Sequence, residues 1–157
     1  MDTKSVISDI NWGEMFAPLE NKLLAALLVA FFLPWVSLGP ISMSGFSTPG
    51  AIQDLGNLAK AFNKKGETPF VLHYYLLFLI PLSSIAGAWF RYKKDESKAK
   101  LYTLVSAGVF LIFFIGALIS KGIKIFDVMS FGALASLLLS ITILVVTFDL
   151  HTKFIKK

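Results

Sequence analysis

Long apolar stretches alternate with short polar ones along this chain of 157 residues. Charged residues are absent from four of them, 23–38, 70–90, 101–119 and 128–148. A helix rises about 1.5 Å per residue and the hydrocarbon core of a bilayer is about 30 Å thick, so runs near this length suit single crossings. The pattern predicts an all-α membrane protein, a bundle of four transmembrane helices in one integral membrane domain.

Two prolines modify the predicted spans. The first span is short, so its flanking residues are expected to complete it, and Pro34 is expected to loosen its last turn. Pro81 is expected to bend the second span, because a proline inside a helix removes a hydrogen bond.

The long connection, residues 39–69, is predicted to lie outside the membrane and to hold a short amphipathic helix. Alternation over 41–44 favours an extended piece or a hairpin. A helix-like stripe then follows, with apolar residues at intervals of three and four, and this stripe has three possible partners: the bundle itself, the membrane surface or another protein. Its members are Ile52, Leu55, Leu58, Ala59 and Phe62. The amino-terminal residues 1–22 fit either an interfacial helix or a disordered tail.

Small residues recur at helical spacing within the predicted spans. Such positions let helices approach closely in lipid, where no hydrophobic drive brings them together. The sequence leaves open whether they meet helices of the same chain or of an identical subunit. The predicted packing positions are Ala26, Ala30, Ser83, Gly87, Gly108, Gly116, Gly132, Ser136 and Ser140.

Charge predicts the orientation. The composition, 55% hydrophobic and 16% charged, belongs with membrane proteins that cross the bilayer several times. Ten of the fifteen Lys and Arg residues lie in 1–22, 91–100 and 149–157, which the positive-inside rule places in the cytoplasm. We therefore expect an inner (plasma) membrane protein with both termini cytoplasmic. Its net charge of +5 is expected to attract anionic lipid headgroups rather than nucleic acid.

The sequence lacks the residues that most membrane chemistry needs. No ionisable Lys, Arg, Asp or Glu lies inside the predicted spans, whereas pumps and ion-coupled transporters ordinarily use one. There is no cysteine, phosphate-binding loop or metal-ligand cluster, so no cofactor is expected and the protein is predicted not to be an enzyme. His73 fits an isolated interfacial histidine better than a ligand-binding or proton-sensing one.

Three functions remain open. The leading hypothesis is an accessory, assembly or inhibitory subunit that binds another membrane protein through helix faces and the outer loop. The first alternative is a homo-oligomeric pore lined by Ser136, Ser140 and Thr147, and the second is an intramembrane enzyme that modifies lipid with His73 as base. The candidate partner or ligand surface consists of Trp35, Ile52, Leu55, Leu58, Phe62, His73 and Tyr74.

One short segment carries a resemblance. The run Leu33-Pro34-Trp35-Val36-Ser37, followed by Gly39 and Ser44-Gly45, resembles a pattern in small bacterial multi-span membrane proteins. The plan of four helices with a long first outer loop is similar to claudin-like tetraspan proteins. The claudin motif of Gly-Leu-Trp and two cysteines is absent, so the resemblance implies architecture and no functional residue.

Overall fold

The computed structural model describes residues 11–38, 41–51, 53 and 72–148. The described chain is mostly helical and contains one small antiparallel sheet. In chain order the elements are α1 (Trp12–Met15), α2 (Leu19–Phe32), β1 (Pro34–Leu38), β2 (Ile41–Ser44), a 3-10 helix (Leu72–Phe78), α3 (Leu79–Tyr92), α4 (Glu96–Lys121), a second 3-10 helix (Gly122–Asp127) and α5 (Phe131–Thr147).

The longer helices pack in a ring. Helix α3 lies between α2 and α4, and α5 closes the ring by packing against both α2 and α4. Large apolar side chains, mostly from α2, fill much of the interior, whereas α5 turns mainly small and hydroxyl side chains inward. The largest fully buried apolar members of the interior are Leu24, Leu27, Phe31, Ile80 and Ile143.

Within the described residues, two helical segments, Tyr74–Tyr92 and Glu96–Ser120, are long and apolar enough to cross a membrane. Helix α5 is as apolar but shorter. Only 22% of the most apolar part of the second segment is buried against the rest of the chain. The core helix of a soluble protein would be mostly buried, so this exposure favours a lipid environment.

The first predicted span ends early, and the all-α prediction was wrong in this region. Helix α2 stops at Phe32 rather than continuing to 38. Pro34 is the physical reason, since its ring forces the preceding residue out of the helical region, and Leu33 has an extended ψ of 158°. The chain then continues as strand β1.

The two strands form a hairpin that is tied to the start of α5. Ser37 and Ser42 are partners in its register, which confirms the extended piece predicted over 41–44. The Ser37 amide donates to the Val128 carbonyl and the Ser130 amide donates to the Trp35 carbonyl, both over 2.9 Å. The hairpin therefore covers one end of the helix ring and joins residues distant in sequence.

Two other helical regions add detail to the predictions. The 3-10 helix Leu72–Phe78 runs directly into α3, and Pro81 lies in the first turn of α3, so the bend predicted at this proline stays a prediction. Helix α4 begins at Glu96 rather than at 101, because Asp95 caps it by accepting from the Lys98 amide over 3.2 Å. The Lys98 side chain, 2.9 Å away, holds the pKa of the Asp95 carboxyl below its ordinary value.

Candidate functional site

Trp35 lies in the wall of an aromatic cluster beneath the hairpin. It is buried, its Nε1 donates to the Ala30 carbonyl over 2.9 Å, and its ring stands edge-on to Phe31 and to Phe110. Trp35, which the sequence assigned to a partner or ligand surface, is therefore buried rather than exposed to a partner, because β1 folds back over the end of the helix ring.

A small cavity adjoins this cluster. Its volume is about 140 Å³, and its walls include Trp35, Tyr74, Phe110, Phe113 and Met129. The structure thus brings two residues of the predicted partner or ligand surface, Trp35 and Tyr74, to one cavity. The walls are almost wholly apolar, and apolar cavities of this size stay dry or bind small apolar molecules.

The rest of that predicted surface has no structural description. Ile52, Leu55, Leu58 and Phe62 lie outside the described residues. His73 belongs to the first 3-10 helix, but its side chain also lies outside the described part, so its assignment as a base rests on sequence alone.

Most of the predicted packing residues are buried within the protein. A Cβ added at Gly87 would lie 3.2 Å from Thr103 Oγ1, and one added at Gly132 would lie 2.6 Å from the Pro34 carbonyl oxygen. These glycines therefore permit close approach of α3 to α4 and of α5 to the end of α2. The buried members of the set are Ala30, Ser83, Gly87, Gly132, Ser136 and Ser140.

Three predicted packing residues are not packed closely within this chain, so for them the contact with another molecule that the sequence left open stays a prediction. Ala26 and Gly116 are exposed. A Cβ added at Gly108 or at Gly116 would have no atom within 4 Å. Helical spacing alone does not say which small residues face a neighbour, because that depends on how each helix is rotated in the ring.

The residues proposed to line a pore are enclosed by the chain itself. Ser136 and Ser140 are fully buried and Thr147 nearly so, and their hydroxyl oxygens have no hydrogen-bond partner among the described residues. They face other helices of the same chain. They are therefore not on an outer surface where they could line a pore between copies of the protein.

The outward face of α4 carries an open groove. Ile112, Gly116 and Ser120 follow one another at intervals of four along it, and Tyr74 and Leu76 of the first 3-10 helix form its other side. The groove has a volume of about 530 Å³. We call this surface the α4 groove.

A second groove lies toward the end of the molecule that holds residues 93–95. Trp12, Phe16, Leu28 and Trp89 line it together with Asn21, and its volume is about 320 Å³. We call it the Trp12–Trp89 groove.

A buried polar pair, which the sequence reasoning missed, lies beside the Trp12–Trp89 groove. Arg91 Nη1 donates to Asn21 Oδ1 over 3.0 Å, and both residues are buried. Nothing in the sequence separates Arg91 from the neighbouring lysines, so no sequence signal could have identified it.

No protein-family model, curated protein or solved structure matches this chain. The two resemblances noted in the sequence therefore stay predictions. Among the described residues, no group of three or more His, Cys, Asp or Glu side chains lies where it could hold a metal ion.

Proposed function

We propose that this chain is a four-span integral membrane protein that serves as an accessory subunit of another membrane protein. Its docking surface is the α4 groove. The observation that carries the proposal is an open groove on the longest helix, where Gly116 leaves empty space between exposed isoleucines. In lipid, helices associate by close van der Waals packing, and a small residue between larger ones provides the room for it.

Apolar side chains on the outside of every long helix support insertion of the whole ring. Val29 of α2, Leu82 of α3, Ile112 of α4 and Leu138 of α5 are each more than half exposed. A soluble bundle would carry polar residues at such positions.

The small residues on α5 favour docking of a different protein over a pore formed between copies of this chain. Gly132, Ser136 and Ser140 are already buried within this chain, so they offer no contact to a second subunit. The small residue that remains exposed in a groove is Gly116, and the groove around it is apolar enough to accept a helix from another protein.

The test uses Gly116→Leu with Gly108→Leu as its matched control. A Cβ meets no atom within 4 Å at either glycine, but only the first substitution fills the α4 groove. Tagged wild-type protein and Gly108→Leu are expected to co-purify the same membrane protein at fixed ratio from native membranes. Gly116→Leu is expected to recover about tenfold less of it, as for a residue central to an interface.

Two results would reject this proposal. Recovery of the partner unchanged by Gly116→Leu would show that docking uses another surface. Recovery of nothing but multiples of this chain, by intact mass, would make the groove a contact between copies rather than a site for a different protein. Thermal unfolding of both variants in detergent checks that each one is folded.

A further inference from the structure

Arg91 is a buried cation at the carboxyl end of α3. Its exposed fraction is 8%, and Nη1 donates to Asn21 Oδ1 over 3.0 Å. Asn21 is itself fully buried and its amide nitrogen donates to the carbonyls of Met15 and Ala88. Since both hydrogens of that amide have acceptors, Asn21 is fully engaged and positions the guanidinium without supplying a negative charge.

The positive charge of Arg91 has no carboxylate partner in the described residues. The ion pair found there joins Lys98 to Asp95. A guanidinium has five N–H donors, and burying it without a counter-ion is costly. Among the described residues, the fully enclosed side-chain atoms without a hydrogen-bond partner are three hydroxyl oxygens, so the guanidinium nitrogens other than Nη1 are not sealed from their surroundings. Arg91 is therefore open to an acceptor from outside the described chain.

An apolar groove begins beside this cation. Asn21 and Ala88, which both belong to the hydrogen-bonded cluster around Arg91, also line the Trp12–Trp89 groove. The remaining walls are apolar or aromatic and include Leu24, Leu28 and Trp89. A bound anion at Arg91 with a hydrocarbon chain in the groove would satisfy both features at once.

We infer that Arg91 and the Trp12–Trp89 groove form a binding site for an anionic phospholipid. Arg91, oriented by Asn21, binds the headgroup phosphate in the forked geometry that guanidinium offers, and one acyl chain lies along Leu24 and Leu28. Exposed Lys93 and Lys94 raise the local concentration of anionic headgroups. The inference rests on membrane insertion as proposed above but is independent of docking at the α4 groove.

The test measures lipid binding to purified full-length protein in mild detergent. Phosphatidylglycerol and phosphatidylcholine with identical acyl chains are offered together, and bound lipid is counted by native mass spectrometry. Wild type is expected to prefer phosphatidylglycerol, and Arg91→Gln is expected to reduce that preference about five-fold, the size expected for one basic side chain at an anionic surface. Lys100→Gln removes an equal charge from an exposed site and is expected to keep the wild-type preference.

A second variant covers the event that Arg91→Gln does not fold. Arg91→Lys keeps the positive charge but lacks the forked pair of N–H donors of a guanidinium. Its preference for phosphatidylglycerol is therefore expected to lie between those of wild type and Arg91→Gln. Phosphatidylglycerol is also expected to raise its unfolding temperature less than that of wild type. The inference is overturned if Arg91→Gln retains the wild-type preference or if wild type shows none. It is also overturned if inorganic phosphate or water-soluble glycerophosphoglycerol stabilises wild type as much as the lipid does, because the groove then has no part in binding.

Discussion

At the scale of single residues, Gly45 lies against the aromatic cluster that contains Phe31 and Trp35. Pro34 ends α2, and the chain turns so that Trp35 packs into the ring of helices. Gly45 then passes directly over the aromatic cluster, where an added Cβ would lie 2.7 Å from both Phe31 Cδ2 and Trp35 Cζ2. No other residue type fits there without displacing two packed rings.

Gly45→Ala is accordingly expected to destabilise the protein. Overfilling a packed region costs about 1–3 kcal/mol, because the surrounding side chains must leave their preferred rotamers. Thermal unfolding in detergent, followed by tryptophan fluorescence, measures the effect. Gly50→Ala is the control, since a Cβ at Gly50 meets nothing within 4 Å. Equal unfolding temperatures for the two variants would contradict the close approach of Gly45 to Trp35.

At the scale of elements, the helices contain two kinds of buried hydroxyl. Between α3 and α4, Ser84 donates to the Ile80 carbonyl over 2.7 Å and its oxygen lies 2.6 Å from that of Ser106. On α5, by contrast, the hydroxyls of Ser136 and Ser140 have no partner among the described residues. The α5 serines thus act through their small size, whereas those between α3 and α4 also act as hydrogen-bonding groups.

The two kinds of serine are expected to respond differently to replacement by alanine. Ser140→Ala removes a sealed polar atom without breaking a hydrogen bond, so the protein is expected to be as stable as wild type or more stable. Ser84→Ala breaks the link to Ser106 and is expected to lower stability by about 0.6 kcal/mol, typical of hydrogen bonds between membrane helices. Unfolding in detergent compares both variants with wild type, and a larger loss for Ser140→Ala would contradict this division.

At the scale of the whole molecule, orientation follows from charge. The turn between α3 and α4 lies in the most basic segment, 91–100, while the second 3-10 helix lies at the far end of α4. The chain contains no cysteine, so single cysteines can report which side of the membrane each end of α4 occupies.

Ser97→Cys and Ile123→Cys, both at exposed positions, are expected to label from opposite sides. In intact spheroplasts, a membrane-impermeant maleimide should modify the cysteine at 123 and should reach the one at 97 only after permeabilisation, because basic loops stay in the cytoplasm. The reverse pattern would invert the topology. Labelling of both positions from one side would show that α4 does not cross the membrane.

Local pattern was enough to predict much of the fold. Each chargeless run overlaps a helical segment, and the alternating residues 41–44 form a strand, because both signals come from spacing along the chain itself. The end of α2 was misplaced although Pro34 was visible, since the sequence did not show that a strand partner, Met129, was available beyond it.

The sequence by itself determined where apolar helices form, where proline and small polar residues interrupt them, and which loops are basic. Only the tertiary structure decided that Ser136 and Ser140 face inward, that Gly116 lies open in a groove, and that Arg91 is buried while Lys100 is exposed. The reason is the distance along the chain over which these contacts act. Arg91 meets Asn21 across 70 positions and Ser37 meets Ser130 across 93, and no local pattern records such pairs.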